Sequence, residues 1–374
     1  MSTRMGTLMS TRMSAGGGRF GIAGLRKLPL GVAVPVLATG AAMLVGIALV
    51  AALGVPLGDA FESFLDGTVG SAYAVSVSLN RTVVYALVGL GFVLAARAGL
   101  TNVGGEGQIA VGGIAATAMA LHGGVAGLPF GLAFLLPLAA ATLAGAAWAA
   151  LAGILKARIG TNEVISTLLL SFIAVWLVYG CVQSEALLRR PMTDAATLPE
   201  SLPIPETAQI PLLTGDPAAP VTAGLGIGIG LALVVAGVLA RSRFGFQLRA
   251  VGLNPTAAAR AGFSYAATVV VALALAGALG GLAGGLMLLG EQYALRTGFS
   301  SGYGYDGLVV GLLARGSVLG VVAAALLFGF LRSAGISMEM GAGVPTALIQ
   351  VLQGLIILAV AGAAFRFDAR RARA

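Results

Sequence analysis

Long apolar runs recur along this chain and constrain its fold more than any other feature of the sequence. A helix needs about 20 apolar residues to cross a bilayer core of about 30 Å, and apolar residues make up 58% of these 374 residues. Charged residues contribute only 10%, whereas an ordinary soluble domain contains about 25%. The composition therefore predicts an all-α polytopic membrane protein and disfavours a soluble globular enzyme.

The runs predict about ten transmembrane helices. By residue number they lie at 30–57, 82–96, 108–121, 128–155, 164–182, 221–240, 267–289, 308–314, 318–331 and 344–364. The eighth run is too short to cross alone, so it either begins earlier, at Tyr303, or forms a half-helix or re-entrant segment that faces protein or a cavity. The first run is too long for the core of a signal peptide, and we expect it to be an uncleaved span.

Basic residues give the predicted helices an orientation. With ten crossings and a cytoplasmic N-terminus, 17 of the 22 lysines and arginines fall in cytoplasmic tails and loops, as the positive-inside rule expects. The five others fall on the outer side: Arg81, Arg189, Arg190, Arg296 and Arg332. Removing one crossing would reverse every later loop and abolish the bias. We therefore expect a multi-pass membrane protein with both termini in the cytoplasm.

The polar segments divide the chain further. We predict a disordered, basic cytoplasmic tail at 1–27, a transmembrane domain at 28–365 and a second basic cytoplasmic tail at 366–374. Within the domain, the proline-rich segment 183–220 is predicted to be an external loop, and 241–265 a cytoplasmic loop.

A second external stretch is predicted at 59–80. It places Phe61, Phe64 and Leu65 on one helical face that could rest on the membrane surface. This stretch and the proline-rich loop are either solvated loops or docking surfaces for a partner.

The rare residue types exclude several kinds of chemistry. One cysteine, Cys181, and one histidine, His122, cannot form an internal disulfide or a metal site built on cysteine or several histidines. Only two lysines are present, Lys27 and Lys156, and neither has the glycine spacing of a phosphate-binding loop. We therefore predict no catalytic residue, no metal and no cofactor, and expect any ATP to be bound by another chain.

The net charge of +8 indicates membrane orientation rather than a nucleic-acid partner. It accompanies a mean hydropathy of +0.98, which is far above that of a nucleic-acid-binding domain with a solvated basic face. Membrane lipid is the expected environment, and no nucleic acid is expected as a partner.

Glycines on the seventh run predict close helix packing. Gly277, Gly281 and Gly285 are spaced four residues apart and share one face, and small residues let helices approach closely. The spacing leaves open whether the contact lies within one subunit or between two.

The cytoplasmic loop 241–265 contains a candidate short helix. Asn254 is a favourable N-cap, Pro255 suits the first helical position, and Gly262 can end the helix in a left-handed conformation. A rigid cationic helix held between two spans could transmit force from a soluble motor. The residues fit an ordinary capped loop helix equally well.

Polar residues next to the spans are candidates for a solute pathway. In the segments that precede the third and fifth runs they are Asn102, Glu106, Gln108, Asn162 and Glu163. Acids inside a membrane are costly and tend to be functional. The alternative is that they cap helix N-termini through the helix dipole.

A second group of candidates lies near the eighth and tenth runs. Tyr303 and Tyr305 could stack on a base or a sugar face, and Asp306 could accept hydrogen bonds from hydroxyl groups. Gln350 and Gln353 share one face of the last run, where they could line a pathway or pair between helices. An interfacial aromatic belt is the alternative for the tyrosines.

Four motifs, in this order, resemble those of the membrane subunits of bacterial ABC importers in the ribose and nucleoside branch. They read G-L-T-N-V-G-G-E-G-Q at 99–108, G-T-N-E-V-I-S-T-L at 160–168, L-R-A-V-G-L-N-P-T-A-A-A-R-A-G at 248–262 and G-Y-G-Y-D-G at 302–307. The first two are most similar to the larger nucleoside-importer permease. Thr101 and Gly105 depart from the family pattern, which often has Phe and Ala there, and this affects the detail of the substrate pocket.

The resemblance implies a permease of the bacterial cytoplasmic (inner) membrane that forms the translocation pathway for a nucleoside or related sugar by alternating access. Its implied partners are a cytoplasmic ATP-binding subunit, a second permease subunit (the same chain or a similar one) and an extracytoplasmic substrate-binding lipoprotein. The segment 249–262 would be the coupling helix that contacts the ATPase. Its implied contact residues are Arg249, Gly252, Asn254, Pro255, Arg260 and Gly262.

Two other classes of protein remain as alternatives. An ion-coupled secondary carrier would bind its cation near the midplane through Glu106, Glu163 and Asp306, and would run on an ion gradient without ATP. A membrane scaffold that transports nothing would give no uptake phenotype on deletion.

Overall fold

The computed structural model describes residues 40, 44–193 and 198–345, together with 347, 348, 350, 351, 354 and 355. Both predicted tails, nearly half of the first apolar run, most of the last one, and Gln353 lie outside these residues. The described part is helical, and its only strand pairing consists of isolated bridges in the loops. Residues 44–52 are helical. The helices that follow are α1 (Leu57–Thr68), α2 (Ala72–Arg97), α3 (Gly105–His122), α4 (Phe130–Ile159), α5 (Glu163–Gln183), α6 (Gly224–Arg241), α7 (Arg243–Leu253), α8 (Pro255–Arg260), α9 (Tyr265–Met287), α10 (Tyr303–Leu313) and α11 (Val318–Ala342).

Six helices of the described residues are long and apolar enough to cross a membrane. They are α2, α4, α5, α6, α9 and α11. The predicted all-α, multi-pass architecture is thereby confirmed, whereas the count of ten crossings stays a prediction. Most of the last predicted crossing and nearly half of the first lie outside the described residues, and α10 has only 11 residues.

Several helices differ in length from the apolar runs that predict them. α2 begins ten residues before the second run because Ser71 caps it, accepting a hydrogen bond from the backbone N–H of Ala74 at 3.0 Å. α11 continues beyond the ninth run to Ala342. The eighth run forms α10, which begins at Tyr303 but has only 11 residues, so the half-helix or re-entrant alternative stays a prediction. The stretch 59–80, predicted to be external, is mostly helical, since α1 and the start of α2 occupy most of it.

α1 packs against α11 and keeps part of its apolar face exposed. Phe61 is 63% exposed and Leu65 38%, whereas Phe64 packs against a small cluster that includes Val50 and Met338. One member of the predicted surface face is therefore partly buried against the bundle.

α2 and α9 form the centre of the bundle. In the most apolar 18-residue stretch of each span, 78% of the residues are buried in α2 and 72% in α9 with its extension to Gln292. The corresponding share in the other four spans is 22–39%. α2 contacts α6, α9, α10 and α11, and α9 contacts α2, α3 and α4. Helices that read as apolar on all sides are expected at such central positions.

The glycines of α9 explain how closely its neighbours approach. A Cβ placed on Gly277 would overlap the carbonyl oxygen of Gly145 in α4, and one placed on Gly281 would overlap that of Ala141. On the other side, a Cβ on Gly112 of α3 would overlap Gly281. The predicted small-residue face therefore packs α3, α4 and α9 together within one chain.

We expect Gly281→Leu to lower the melting temperature of the purified chain in detergent by about 5 °C or more, because overpacking a tight contact is destabilising. Gly230→Leu is the matched control, since that glycine lies in spanning helix α6 with nothing within 4 Å of an added Cβ. Equal melting temperatures for the two variants would contradict the close packing.

Candidate functional site

An interior stack of three side chains lies where α2, α10 and α11 meet. The rings of Tyr85 in α2 and Tyr303 in α10 are parallel, with centroids 4.8 Å apart and an interplanar angle of 15°. The guanidinium of Arg332 in α11 lies 5.3 Å from the centroid of the Tyr303 ring, within the range of a cation–π interaction. All three residues are buried.

A carboxylate lies beside this stack. Asp306, one helical turn after Tyr303, accepts a hydrogen bond of 3.3 Å from the hydroxyl of Tyr85, and it is only partly buried. Arg332 donates to the carbonyl oxygen of Ser301 at 3.4 Å, and its Nε has no partner among the described residues. The polar cluster, defined here as Tyr85, Tyr303, Asp306 and Arg332, thus offers aromatic faces, an acceptor and a spare donor.

An ion pair joins three elements next to the polar cluster. Arg81, one turn before Tyr85 in α2, pairs with Glu291 at 3.2 Å and donates to the hydroxyl of Ser333 in α11 at 2.8 Å. Glu291 belongs to a π-helical turn, Leu288–Gln292, that extends α9. Such turns are rare and recur at functional sites.

Glu106 fixes the position of α10. Its carboxylate is buried and accepts hydrogen bonds from the hydroxyl of Ser300 at 2.5 Å and from the backbone N–H groups of Gly302 and Gly304 at 3.1 and 2.8 Å. The sequence leaves open whether Glu106 lines a pathway or caps a helix N-terminus, and its described contacts are those of a cap. The helix whose N-terminus receives them is α10, although Glu106 itself lies in the first turn of α3.

Asn102 and Gln108 bind each other. The amide of Gln108 donates to the side-chain oxygen of Asn102 at 3.0 Å, and the reverse hydrogen bond measures 3.3 Å. The same Asn102 oxygen accepts from the backbone N–H of Gly104 at 3.0 Å. Both side chains are buried, so their pairing shapes the entry of the chain into α3.

Asn162 and Glu163 serve the turn between α4 and α5. Asn162 caps α5 by accepting from the backbone N–H of Val164 at 2.9 Å. Glu163 forms an ion pair of 2.9 Å with Lys156 at the end of α4. Their described contacts are those of a helix cap and an interhelical ion pair.

The remaining pathway candidates are placed differently. Tyr305 is partly buried on α10, next to the polar cluster in sequence. Gln350 is exposed, and Gln353 lies outside the described residues.

The segment with the coupling motif forms two helices, α7 and α8, rather than one. Asn254 joins them and caps α8 by accepting from the backbone N–H of Ala257 at 3.0 Å, with Pro255 at the first helical position. Gly262 follows the end of α8 with a φ of 88°. The predicted capping pattern is therefore confirmed.

Residues of this segment divide into an exposed and a packed set. Leu253 is 86% exposed, and Asn254, Pro255 and Arg260 are exposed as well. Gly252 instead packs against the backbone at the end of α2. Arg249 is partly buried and donates a hydrogen bond to the carbonyl oxygen of Leu239.

Sequence reasoning missed Tyr85 as a site residue and treated Arg81 and Arg332 only as charges of the outer loops. The structure places both arginines within helices, and Arg332 is 9% exposed. The available signal was an arginine directly next to an apolar run, Arg81 before 82–96 and Arg332 after 318–331. A charged residue in that position indicates the end of a helix equally well.

Comparison with known proteins agrees with this architecture. Residues 74–361 match the family described as branched-chain amino acid transport system / permease component. A glucose ABC transporter permease protein of Haloferax volcanii is 35% identical over 343 residues, covering 88% of this chain and 87% of the relative. No solved structure matches the chain significantly.

Two further relatives cover nearly the same part of the chain. A guanosine ABC transporter permease protein of Bacillus subtilis is 32% identical, over 89% of this chain and 94% of its own length. A nucleoside ABC transporter permease protein of Lactococcus lactis is 30% identical, over 88% and 90%. These similarities confirm the resemblance that the four motifs indicate. The chain therefore belongs to the family of permease components of ABC transport systems, and it is a transport subunit rather than an enzyme.

Proposed function

We propose that this permease forms the pathway of an ATP-driven importer for a nucleoside or a related solute that contains a sugar ring. The relatives named for guanosine, nucleosides and glucose support this class, because a sugar ring is common to these solutes. The observation that carries the proposal is the polar cluster. Aromatic faces stack on flat rings, and a carboxylate beside them accepts hydrogen bonds from sugar hydroxyls.

The described conformation is closed at the polar cluster. Tyr303 is only 6% exposed, and its ring is covered on one side by Tyr85 and approached by Arg332. A solute reaches these groups only when α10 moves relative to α2 and α11. We therefore place the opening step of alternating access at the contacts of α10 with its two neighbours.

α10 is suited to move as a unit. Left-handed residues precede it at Ser301 and Gly302, with φ of 43° and 81°, and follow it at Arg315 and Gly316, with φ of 50° and 80°. Non-glycine residues in this region are strained, and such strain concentrates at functional segments. Sharp turns at both ends favour rigid displacement of the short helix.

The proposed complex contains a cytoplasmic ATP-binding subunit, a second permease subunit and an extracytoplasmic substrate-binding lipoprotein. The exposed junction of α7 and α8 is the proposed contact with the ATPase, supported by its exposed Leu253, Asn254 and Arg260. In this proposal the chain crosses the membrane ten times, and the termini and α7–α8 lie in the cytoplasm. The positive-inside bias supports this orientation.

The ion-coupled alternative gains no support from Glu106 and Glu163, two of the three carboxylates that it requires. Three donors already occupy the oxygens of Glu106, and Lys156 neutralises Glu163. A cation at either group would have to displace these contacts.

For the pathway, we expect Tyr303→Leu to reduce ATP-dependent guanosine uptake by the assembled complex at least about tenfold, because a ring contact of about 1.5 kcal/mol is lost. Tyr303→Phe keeps the ring and should retain most uptake. Tyr179→Leu, on an exposed ring of α5, is the control. Uptake is measured in proteoliposomes with radiolabelled guanosine, and wild-type uptake by Tyr303→Leu would remove this ring from the pathway.

For coupling, we expect Arg260→Glu to lower solute-stimulated ATP hydrolysis by the assembled complex at least about fivefold, since a reversed charge at an interface is costly. Arg158→Glu reverses an exposed charge at the end of α4 and should behave like the wild type. Copurification of the ATPase shows whether the complex has formed. Undiminished stimulation in Arg260→Glu would refute the proposed contact.

A further inference from the structure

A cavity of about 470 Å³ opens on the surface of the bundle between the ends of α2, α6 and α11. Three arginines contribute to its lining, namely Arg97, Arg249 and Arg315. No acidic residue lines it among the described residues. The cavity therefore concentrates positive charge at one end of the bundle.

Backbone carbonyls hold two of these arginines in place. Arg97 donates through Nη2 to the carbonyl oxygen of Gly316 at 2.6 Å, and Arg249 donates through Nη1 to that of Leu239. The Nε of Arg97 is buried without a hydrogen-bond partner among the described residues. A buried donor without a partner is costly, so the Arg97 side chain keeps unused hydrogen-bonding capacity at the edge of the cavity.

The other side of the cavity is apolar and continues into the outer surface of the spans. Val318 and Leu319 line it from α11, and Leu319 is 82% exposed. Along α6, Leu233 and Val234 are 69% and 58% exposed. α6 and α11 both pack against α2, and the cavity together with these adjoining apolar surfaces is called the crevice below.

We propose that this cavity binds an anionic phospholipid, with its phosphate among the arginines and its acyl chains along α6 and α11. Basic pockets between transmembrane helices recognise such headgroups, and charge-assisted hydrogen bonds from guanidinium to phosphate are strong. A free phosphate ion would use the arginines alone, whereas a lipid also covers the apolar half of the crevice.

The position of the site gives the lipid a structural role. Arg315 and Gly316 connect α10 to α11 and line the cavity, so the headgroup lies at the base of the helix that carries Tyr303. A bound lipid would stabilise the closed arrangement of α2, α6 and α11 around that connection. This inference does not depend on the identity of the transported solute.

The test is native mass spectrometry of the assembled complex, released from nanodiscs that contain phosphatidylglycerol and phosphatidylcholine. We expect the wild type to retain phosphatidylglycerol in preference to phosphatidylcholine. Arg97→Gln should retain about fivefold less, since one arginine near a headgroup contributes about that factor. Arg241→Gln, which removes an exposed arginine at the end of α6 outside the cavity lining, should retain as much as the wild type.

Two further arms distinguish the sources of the anion and guard against misfolding. Excess inorganic phosphate should leave the retained phosphatidylglycerol unchanged. Leu319→Ser removes an exposed apolar side chain of the crevice and should also reduce retention, which decides the question if Arg97→Gln fails to assemble. Equal retention of the two lipids, displacement by phosphate, or wild-type retention in Arg97→Gln and Leu319→Ser would overturn the proposal.

Discussion

One buried carboxylate determines where the polar cluster lies. Glu106 is 4% exposed, and an unpaired carboxylate at that depth would be prohibitively costly. It is stabilised because two helix N-termini meet at it, that of α3, to whose first turn it belongs, and that of α10, whose residues Gly302 and Gly304 donate to it. Positive helix-dipole ends and charge-assisted hydrogen bonds therefore act on the same group.

The position of Glu106 depends in turn on packing elsewhere in the bundle. α3 lies directly on α9 because Gly112 and Gly281 leave no space between the two backbones. Gly304 and Gly105 allow the same proximity between α10 and α3, since a Cβ on Gly304 would overlap the backbone of Glu106. Small residues therefore set the distance at which the carboxylate can reach its donors.

The structure thus combines a rigid part with a part that is suited to move. α3, α4 and α9 interlock through glycines and resist small displacements, because packed backbones have no slack. α10 is short and is bounded by left-handed residues.

Local features of this architecture could be predicted from the sequence. The apolar runs identify the spanning helices, and Asn254, Pro255 and Gly262 act in α8 as their residue types predict. These features depend on neighbours within a few residues, where propensity and capping rules apply.

The arrangement of the site could not be predicted in the same way. The donors to Glu106 lie 194 to 198 residues away along the chain, and capping rules describe only local partners. The sequence places Arg332 in a loop because the apolar run stops before it. In the structure α11 continues through Arg332, and its guanidinium lies over the ring of Tyr303. The partner of a buried polar group is a property of tertiary packing.

The most direct test of the central claim is hydrogen exchange on α10 in Glu106→Gln, combined with guanosine uptake by the same assembled complex. A glutamine presents an N–H group where the carboxylate accepted from the backbone, so about 1.5 kcal/mol or more of charged hydrogen bonding is lost. The account predicts exchange at residues 302–313 at least about tenfold faster, unchanged exchange in α5, and reduced uptake. Wild-type exchange in α10 together with wild-type uptake would contradict it.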